Sequence, residues 1–529
     1  MRETLQLVTF ILRRERLSLV LWVIGIVGIV VYMPFLYEGM YPTVTDRYAA
    51  MLMMANPAIV AIVGPSTGAY TLGALMTQEI LLISVLAVGI MNVLLVNRHT
   101  RVDEELGRLE LIRSFPVGST TILQAVFAVV VVANVLIGGL VAVGFAVSGV
   151  EGLTVAGSVL FGAILTVSGL LFAAVTAVCA QAFSTAKGAS GAAFMVLLVM
   201  YMVRAVGDIA GNFLSYVSPL GLVLQTRTFV DDVWWPLAVV LVQVVVLSAL
   251  AVYLISQRDL GMGLIPAKAG PRGAAPSLLS VDGLAWRLSR GSLLIWTAGT
   301  FLVGLAYGAV IGEVETYIGE NEMLQMLLAS VGSGDATGPD QFIPFLIMFL
   351  VIVLMIPIVG PILRLAGEEK RNLTEHLLSR VVTRGGLLRS YFLISMLASM
   401  VLLAAGGFGF WLSGSMMLDD PIALTTMMGA MLVYLPATWL LIGLAVLLVG
   451  WLPKFAGFSM LMIGFMFFIG FFGAMLALPE VVMNLSPLSH VPAMPVDDFS
   501  AVSFSVMTSL AVALMAAGFV GYSRRDMQG

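Results

Sequence analysis

Charge is scarce in this chain of 529 residues: 11% of its residues are Asp, Glu, Lys or Arg, against 60% hydrophobic ones. A water-soluble globule carries about a quarter of its residues charged to cover its surface, so the solvent here is lipid. Cys179 is the single cysteine and lies in an apolar stretch, which excludes intrachain disulfides and thiol-rich metal sites. Histidine occurs three times, and no His, Cys or carboxylate grouping has metal-ligand spacing, so no metal site is expected. There is no basic cluster with interleaved aromatics, which removes nucleic acid from the candidate partners. No Gly-x-x-x-x-Gly-Lys-Ser/Thr loop occurs either, so the chain has no such cradle for a nucleotide and no catalytic residue is nominated. Nor does the amino terminus look cleavable: Arg13, Arg14 and Arg16 precede a long apolar run with no small-residue cleavage site, so the first span is expected to stay.

What the chain has in quantity is apolar runs of roughly 20 residues or more, long enough to span a bilayer as helices. In lipid the backbone must satisfy its own hydrogen bonds, and these runs lack the short alternation of barrel strands. Spans are predicted near residues 17–36, 76–97, 120–147, 155–183, 189–207 and 235–256, then 291–312, 342–364, 387–412, 423–451, 456–478 and 501–522. The fold class is an all-α polytopic membrane protein of twelve transmembrane helices in two six-helix halves. Residues 257–276, rich in Gly and Pro, predict a flexible cytoplasmic linker between a first half at 1–256 and a second at 277–529. Ahead of the first span of each half, Leu5, Val8, Ile11 and Leu12, and then Leu278, Val281, Leu284 and Ala285, predict amphipathic helices lying along the membrane surface.

The halves repeat one another. Arg13, Arg16, Ser18 and Trp22 recur as Arg287, Arg290, Ser292 and Trp296, and Asp103, Glu104, Glu110 and Ser114 recur as Glu368, Glu369, Glu375 and Ser379. Lys187 recurs as Lys454, Ser218-Pro219-Leu220 as Ser486-Pro487-Leu488, and Arg258-Asp259 as Arg525-Asp526, at an offset that stays within a few residues of 268. Two such halves build a pseudo-twofold pathway, which puts transport first among the functions. With both termini cytoplasmic, 23 of the 26 Lys and Arg residues fall in cytoplasmic segments, and only Arg47, Arg204 and Arg227 lie opposite. That sorting follows the positive-inside rule and predicts a multi-pass protein of the cytoplasmic membrane.

Between the second and third spans, Val102, Leu106, Leu109, Ile112 and Phe115 fall at helical spacing, Glu104 and Arg108 form an i,i+4 pair, and Pro116 stops the helix. This is a short charged helix carrying Asp103, Glu104, Glu105, Gly107, Arg108 and Glu110; its counterpart places Glu368, Glu369, Arg371 and Glu375 around Leu373 and Leu377. A solvated loop explains charge, but the same acids at the same spacing twice point to a docking surface for a soluble partner. The run from Glu104 to Glu110 followed by Phe115-Pro116-Val117 resembles the coupling helix of the membrane subunits of type-2 ATP-binding-cassette exporters, and more closely of the fused twelve-span group that exports polyketide antibiotics. The resemblance covers nearly the whole chain. Its second copy departs from the pattern, with Asn372 where Gly107 aligns and Val381 in place of Pro116. The resemblance implies a permease exporting hydrophobic or amphiphilic cargo by alternating access. ATP and Mg would be bound by a separate ATPase, two copies for a chain that already carries both halves, with no cofactor on this chain.

Inside the membrane, Gln78, Glu79, Asn92, Asn134 and Gln181 are candidates for a substrate pathway, with interhelical hydrogen bonding as the competing explanation for the amides. Glu79 is equally a helix-start carboxylate facing water, and Arg204 and Asp208 read as a local i,i+4 pair. Met466, Phe467 and Phe471 of the eleventh span are either an adaptable wall for greasy cargo or lipid-facing filler. Two other classes remain beside the exporter: a proton-coupled secondary transporter, for which embedded acids and His relays are scarce, and a membrane sensor or scaffold that moves nothing.

Overall fold

The computed structural model describes residues 2–54, 57–67, 69–114, 118, 120–265, 272–318, 342–379, 382–417, 422–473 and 478–525. The expected helix stop at Pro116, the second-copy Val381 and part of the predicted linker lie outside the described residues. Among the described residues the regular structure is entirely helical. Among these residues twelve helices are long and apolar enough to cross a membrane, and each overlaps one predicted run. They are α1 Arg2–Met40, α2 Leu72–Asn97, α3 Thr121–Val147, α4 Val155–Ala182, α5 Ala186–Ala210 and α6 Trp235–Ser256. After them come α7 Val281–Ile318, α8 Phe342–Lys370, α9 Arg384–Met417, α10 Leu424–Trp451, α11 Phe458–Phe472 and α12 Ala501–Arg524. The chain falls into two compact units, Met1–Gly270 with α1 to α6 and Pro271–Gly529 with α7 to α12.

In unit 1, α4 is the centre, packed against α3, α2 and α6, and its apolar side chains are buried on nearly every face. Close packing there rests on small residues: a Cβ on Gly138 of α3 would lie 2.2 Å from the Gly162 carbonyl of α4, and a Cβ on Gly162 would meet the Gly138 carbonyl at 2.2 Å. Lipid gives no hydrophobic drive between helices, so such backbone-to-backbone approach is what binds them. In unit 2 the tightest pairs are α7 with α9 and α10 with α12, while α8 runs buried through the core. The helix α10 is built of two pieces, Leu424–Leu432 and Leu435–Trp451, with Pro436 opening the second.

Two expectations are corrected. The amphipathic stretch before Arg13 is no separate surface helix; it continues into the span as one helix of 39 residues. Nothing between Leu12 and Leu17 breaks a helix, and at 1.5 Å per residue the whole runs to about 58 Å, well beyond the ~30 Å hydrocarbon core. Likewise α7 runs on from Val281 without interruption. The linker also departs from free coil. Its Leu264 and Ile265 amides donate to the Gln181 and Ala182 carbonyls at 3.1 and 2.8 Å, tying the chain back onto the end of α4. Glycine there serves close approach, since a Cβ on Gly263 would sit 2.5 Å from the Ser184 amide nitrogen.

Candidate functional site

The acid-rich segment after α2 forms an elbow. The last turn of α2 widens into a π-helical turn at Arg98–Val102, followed by a single turn at Asp103–Glu105 and a short helix at Arg108–Arg113. Gly107 makes the bend between the last two in the left-handed region, with φ +70°. In unit 2 the bend after α8 is made by Asn372 at φ +58°. Asn is among the few side chains that tolerate this conformation, so the exchange of Gly107 for Asn372 preserves the backbone turn.

The acids of each elbow divide between inside and outside. Asp103 and Glu104, expected on the docking face, are buried, and the expectation is corrected for both. Asp103 takes a two-pronged ion pair from Arg14 of α1, at 2.6 and 2.9 Å, and a further one from Arg108 at 2.8 Å. Glu104 is gripped by both terminal nitrogens of Arg258 at 2.7 and 2.8 Å, receives the Gly261 amide at 2.7 Å, and lies 3.2 Å from Arg101. Arg258 also donates to the Gln181 side chain at 2.6 Å. Charges taken out of water this far need such paired, hydrogen-bonded surroundings. Glu105 accepts the Ala186 amide at 2.6 Å, placing a carboxylate on the N-terminus of α5, where the helix dipole favours it.

Unit 2 repeats the scheme with fewer partners. Glu369, also expected on the docking face, is buried, which corrects that expectation. It pairs with Arg525, the residue just after α12, at 2.5 and 2.6 Å, while Arg525 lies over the Tyr522 ring at 5.2 Å. Glu368 accepts from Arg364 at 2.8 Å and from the Tyr391 hydroxyl at 2.6 Å. Each unit therefore latches its elbow glutamate to an arginine just beyond its last span, Glu104 to Arg258 and Glu369 to Arg525. The sequence repeat contained both members of each pair; only their meeting was missing from it. What faces outward is Glu105, Leu106, Arg108, Glu110 and Leu111 on the first elbow, and Arg371, Leu373, Glu375 and His376 on the second. Leu106 is 48% exposed, Leu111 71% and Leu373 50%, so each face mixes both charge signs with unburied leucine.

Residues 278–523 match the family described as "Multidrug efflux system permease Rv1217c, C-terminal domain". Over 531 aligned residues, 99% of this chain and 95% of the relative, the chain is 35% identical to the multidrug efflux system permease protein Rv1217c of Mycobacterium tuberculosis (strain ATCC 25618 / H37Rv). This chain belongs to that multidrug efflux permease family.

Within this permease the candidate pathway residues separate. Asn92 of α2 and Asn134 of α3 are fully buried and donate to one another's side-chain carbonyls at 2.9 Å, each also bonding the carbonyl four residues back. Gln181 is consumed by the Arg258 latch. These three are bonded within the helix packing, as the competing explanation for the amides has it. Gln78 donates to the Gly64 carbonyl at 3.3 Å and, with Thr77 and Arg227, lines a cleft of about 240 Å³ at the far end of α2 from the elbow. Glu79 is half-buried and takes the hydroxyl of Tyr37 in α1, so it is not a free water-facing carboxylate. Met466 is buried in the unit 2 core, whereas Phe467 and Phe471 stack at 5.8 Å and rest on Phe349 and Phe345 of α8. Arg204 and Asp208 pair at 3.2 Å as read from the sequence, and Arg204 also donates to the Ala61 carbonyl at 2.7 Å.

Proposed function

We propose that this permease is the membrane subunit of an ATP-binding-cassette exporter, in which two copies of a separate ATPase dock on the two elbows. ATP and Mg are bound by those partners, and the chain itself holds no cofactor. The elbows and both termini face the cytoplasm, the protein sits in the cytoplasmic membrane, and its two halves alternate access for hydrophobic or amphiphilic drugs. One observation carries the reading. Each elbow offers an exposed face to a partner while its inner glutamate is held by the arginine that ends the last span of the same unit. A push on the elbow is thereby delivered to both the second and the sixth helix of each half, which is what rigid rocking requires.

The test uses everted vesicles containing the permease and its ATPase. Export should require ATP and the partner, and Glu110→Arg with Glu375→Arg should lower it about tenfold or more, because reversed charge on a docking face costs several kcal/mol. Both glutamates are exposed, so insertion and folding should be unaffected. Cargo movement driven by a proton gradient alone would favour a secondary transporter, and ATPase binding with no cargo movement would favour a sensor.

A further inference from the structure

The eighth helix carries prolines where the second has none, though it runs unbroken from Phe342 to Lys370. Pro357 and Pro361 both stand inside α8. A proline cannot donate to the carbonyl four residues back, so the carbonyls of Val353 and Pro357 lack their intrahelical donor. Inside a membrane such freed backbone acceptors must find another partner. Here the proline-bearing stretch lines a cavity of about 280 Å³, together with Gly360 of α8, Ser289 and Trp296 of α7, and Met460 of α11 among others. The Ser289 side chain is 7% exposed and its hydroxyl has no hydrogen-bond partner. Gly360 has nothing within 4 Å of the position a Cβ would take, so the space beside it is open.

The first half shows the same place closed. The offset that carries Glu104 to Glu369 carries Asn92 to Pro357 and Leu95 to Gly360. The helix α2 has no proline, Asn92 is satisfied by Asn134, and Leu95 is 7% exposed. Duplicated halves with one site filled and the other open are what a specialised cargo site would leave behind.

We infer that the cavity between α7, α8, α9 and α11 is a cargo subsite for an aromatic or otherwise apolar molecule bearing neutral hydrogen-bond donors. Trp296 and Met460 take its body, while the Pro357 carbonyl and the Ser289 hydroxyl take its O–H or N–H groups. Arg364 at the rim is already engaged by Glu368 and by the Leu288 carbonyl, so the site offers no free charge. The volume suits one ring system of a larger compound, being at the low end of drug-sized pockets. This inference rests on the efflux reading for its biological meaning, and on the cavity alone for binding.

Doxorubicin, an aromatic carrying several O–H donors, is the probe, and tetraphenylphosphonium, aromatic without donors, is the control. Fluorescence titration of the purified permease should show Gly360→Leu weakening doxorubicin binding about tenfold or more. Gly360→Ala and Asn92→Ala should bind as wild type. Leucine is a better helix former than glycine and meets open space, so the plug should fold; if it does not, Trp296→Ala and Ser289→Val carry the same test. Ser289→Val should weaken doxorubicin and leave tetraphenylphosphonium unchanged. Wild-type affinity in the plugged variant, or in both substitutes, would overturn the site. Vesicle export separates the two claims: a wild type that binds but exports nothing with ATP and the ATPase fails the exporter reading, whereas a plugged variant that exports doxorubicin normally fails only the subsite.

Discussion

At the scale of single residues, the scarce polar side chains of the membrane region hold helices together. Asn92 and Asn134 form a closed pair in which each amide satisfies the other and a backbone carbonyl. Removing one member leaves the other's side-chain oxygen buried without a donor, so Asn134→Ala should cost about 1–3 kcal/mol. The Asn92→Ala/Asn134→Ala double variant should cost clearly less than the two singles added, because the orphan then disappears with its partner. Thermal unfolding in detergent measures both, and strict additivity would show that the two amides do not act as a unit. The pairing also explains why the amides were ambiguous in the sequence: a buried, paired Asn and a cavity-lining Asn have the same neighbours along the chain.

At the scale of elements, helix contact is set by small residues facing each other across α3 and α4. Gly162→Val would drive a side chain against the Gly138 carbonyl, which lies only 2.2 Å from where a Cβ on residue 162 would stand. Because α3 is also held to α2 through Asn134 and Asn92, it cannot simply move away, and the overpacking should cost about 1–3 kcal/mol, seen as a lower Tm with the fold retained. Gly139, one residue along α3 from Gly138 and with no heavy atom within 4 Å of its Cβ position, should accept Ala with little change. Equal losses at both positions would mean that the approach of α3 to α4 does not set the cost of a side chain here, since helix propensity alone would favour both replacements. The elbows are elements of another kind. Their place after α2 and α8 was readable from the repeated acids. The expected i,i+4 pair of Glu104 with Arg108 gives way to Arg108 with Asp103 and Glu104 with Arg258 across the bend at Gly107. Which acids turn inward was not readable. That depended on Arg14, Arg258 and Arg525, which lie 89, 154 and 156 residues from the acids they meet.

At the scale of the whole molecule, the lone cysteine gives access to the expected topology. Cys179 is buried and is the single cysteine, so Cys179→Ala supplies a background without thiols. In that background Leu111→Cys and Leu373→Cys, on the two elbows, should react with a membrane-impermeant maleimide in inside-out vesicles. Phe213→Cys, just beyond the far end of α5 and 72% exposed, should react in right-side-out ones. Labelling of the two elbows from opposite faces would remove the shared docking geometry and the exporter reading with it.

Composition and hydrophobic run length determined the class of this protein, the number of its membrane helices and the place of its two elbows, because lipid demands long apolar helices wherever the chain crosses. Charge sorting supplied an expected orientation, and the repeat of the acids marked the elbows as a matched pair. Only the tertiary structure decided which charges are latches and which are surface, that Asn92 and Asn134 join helices, and that the stretch holding Pro357 and Pro361 lines a cavity. Those outcomes depend on which residues meet across separate helices, and the local pattern of a strongly apolar chain leaves that partner choice undetermined.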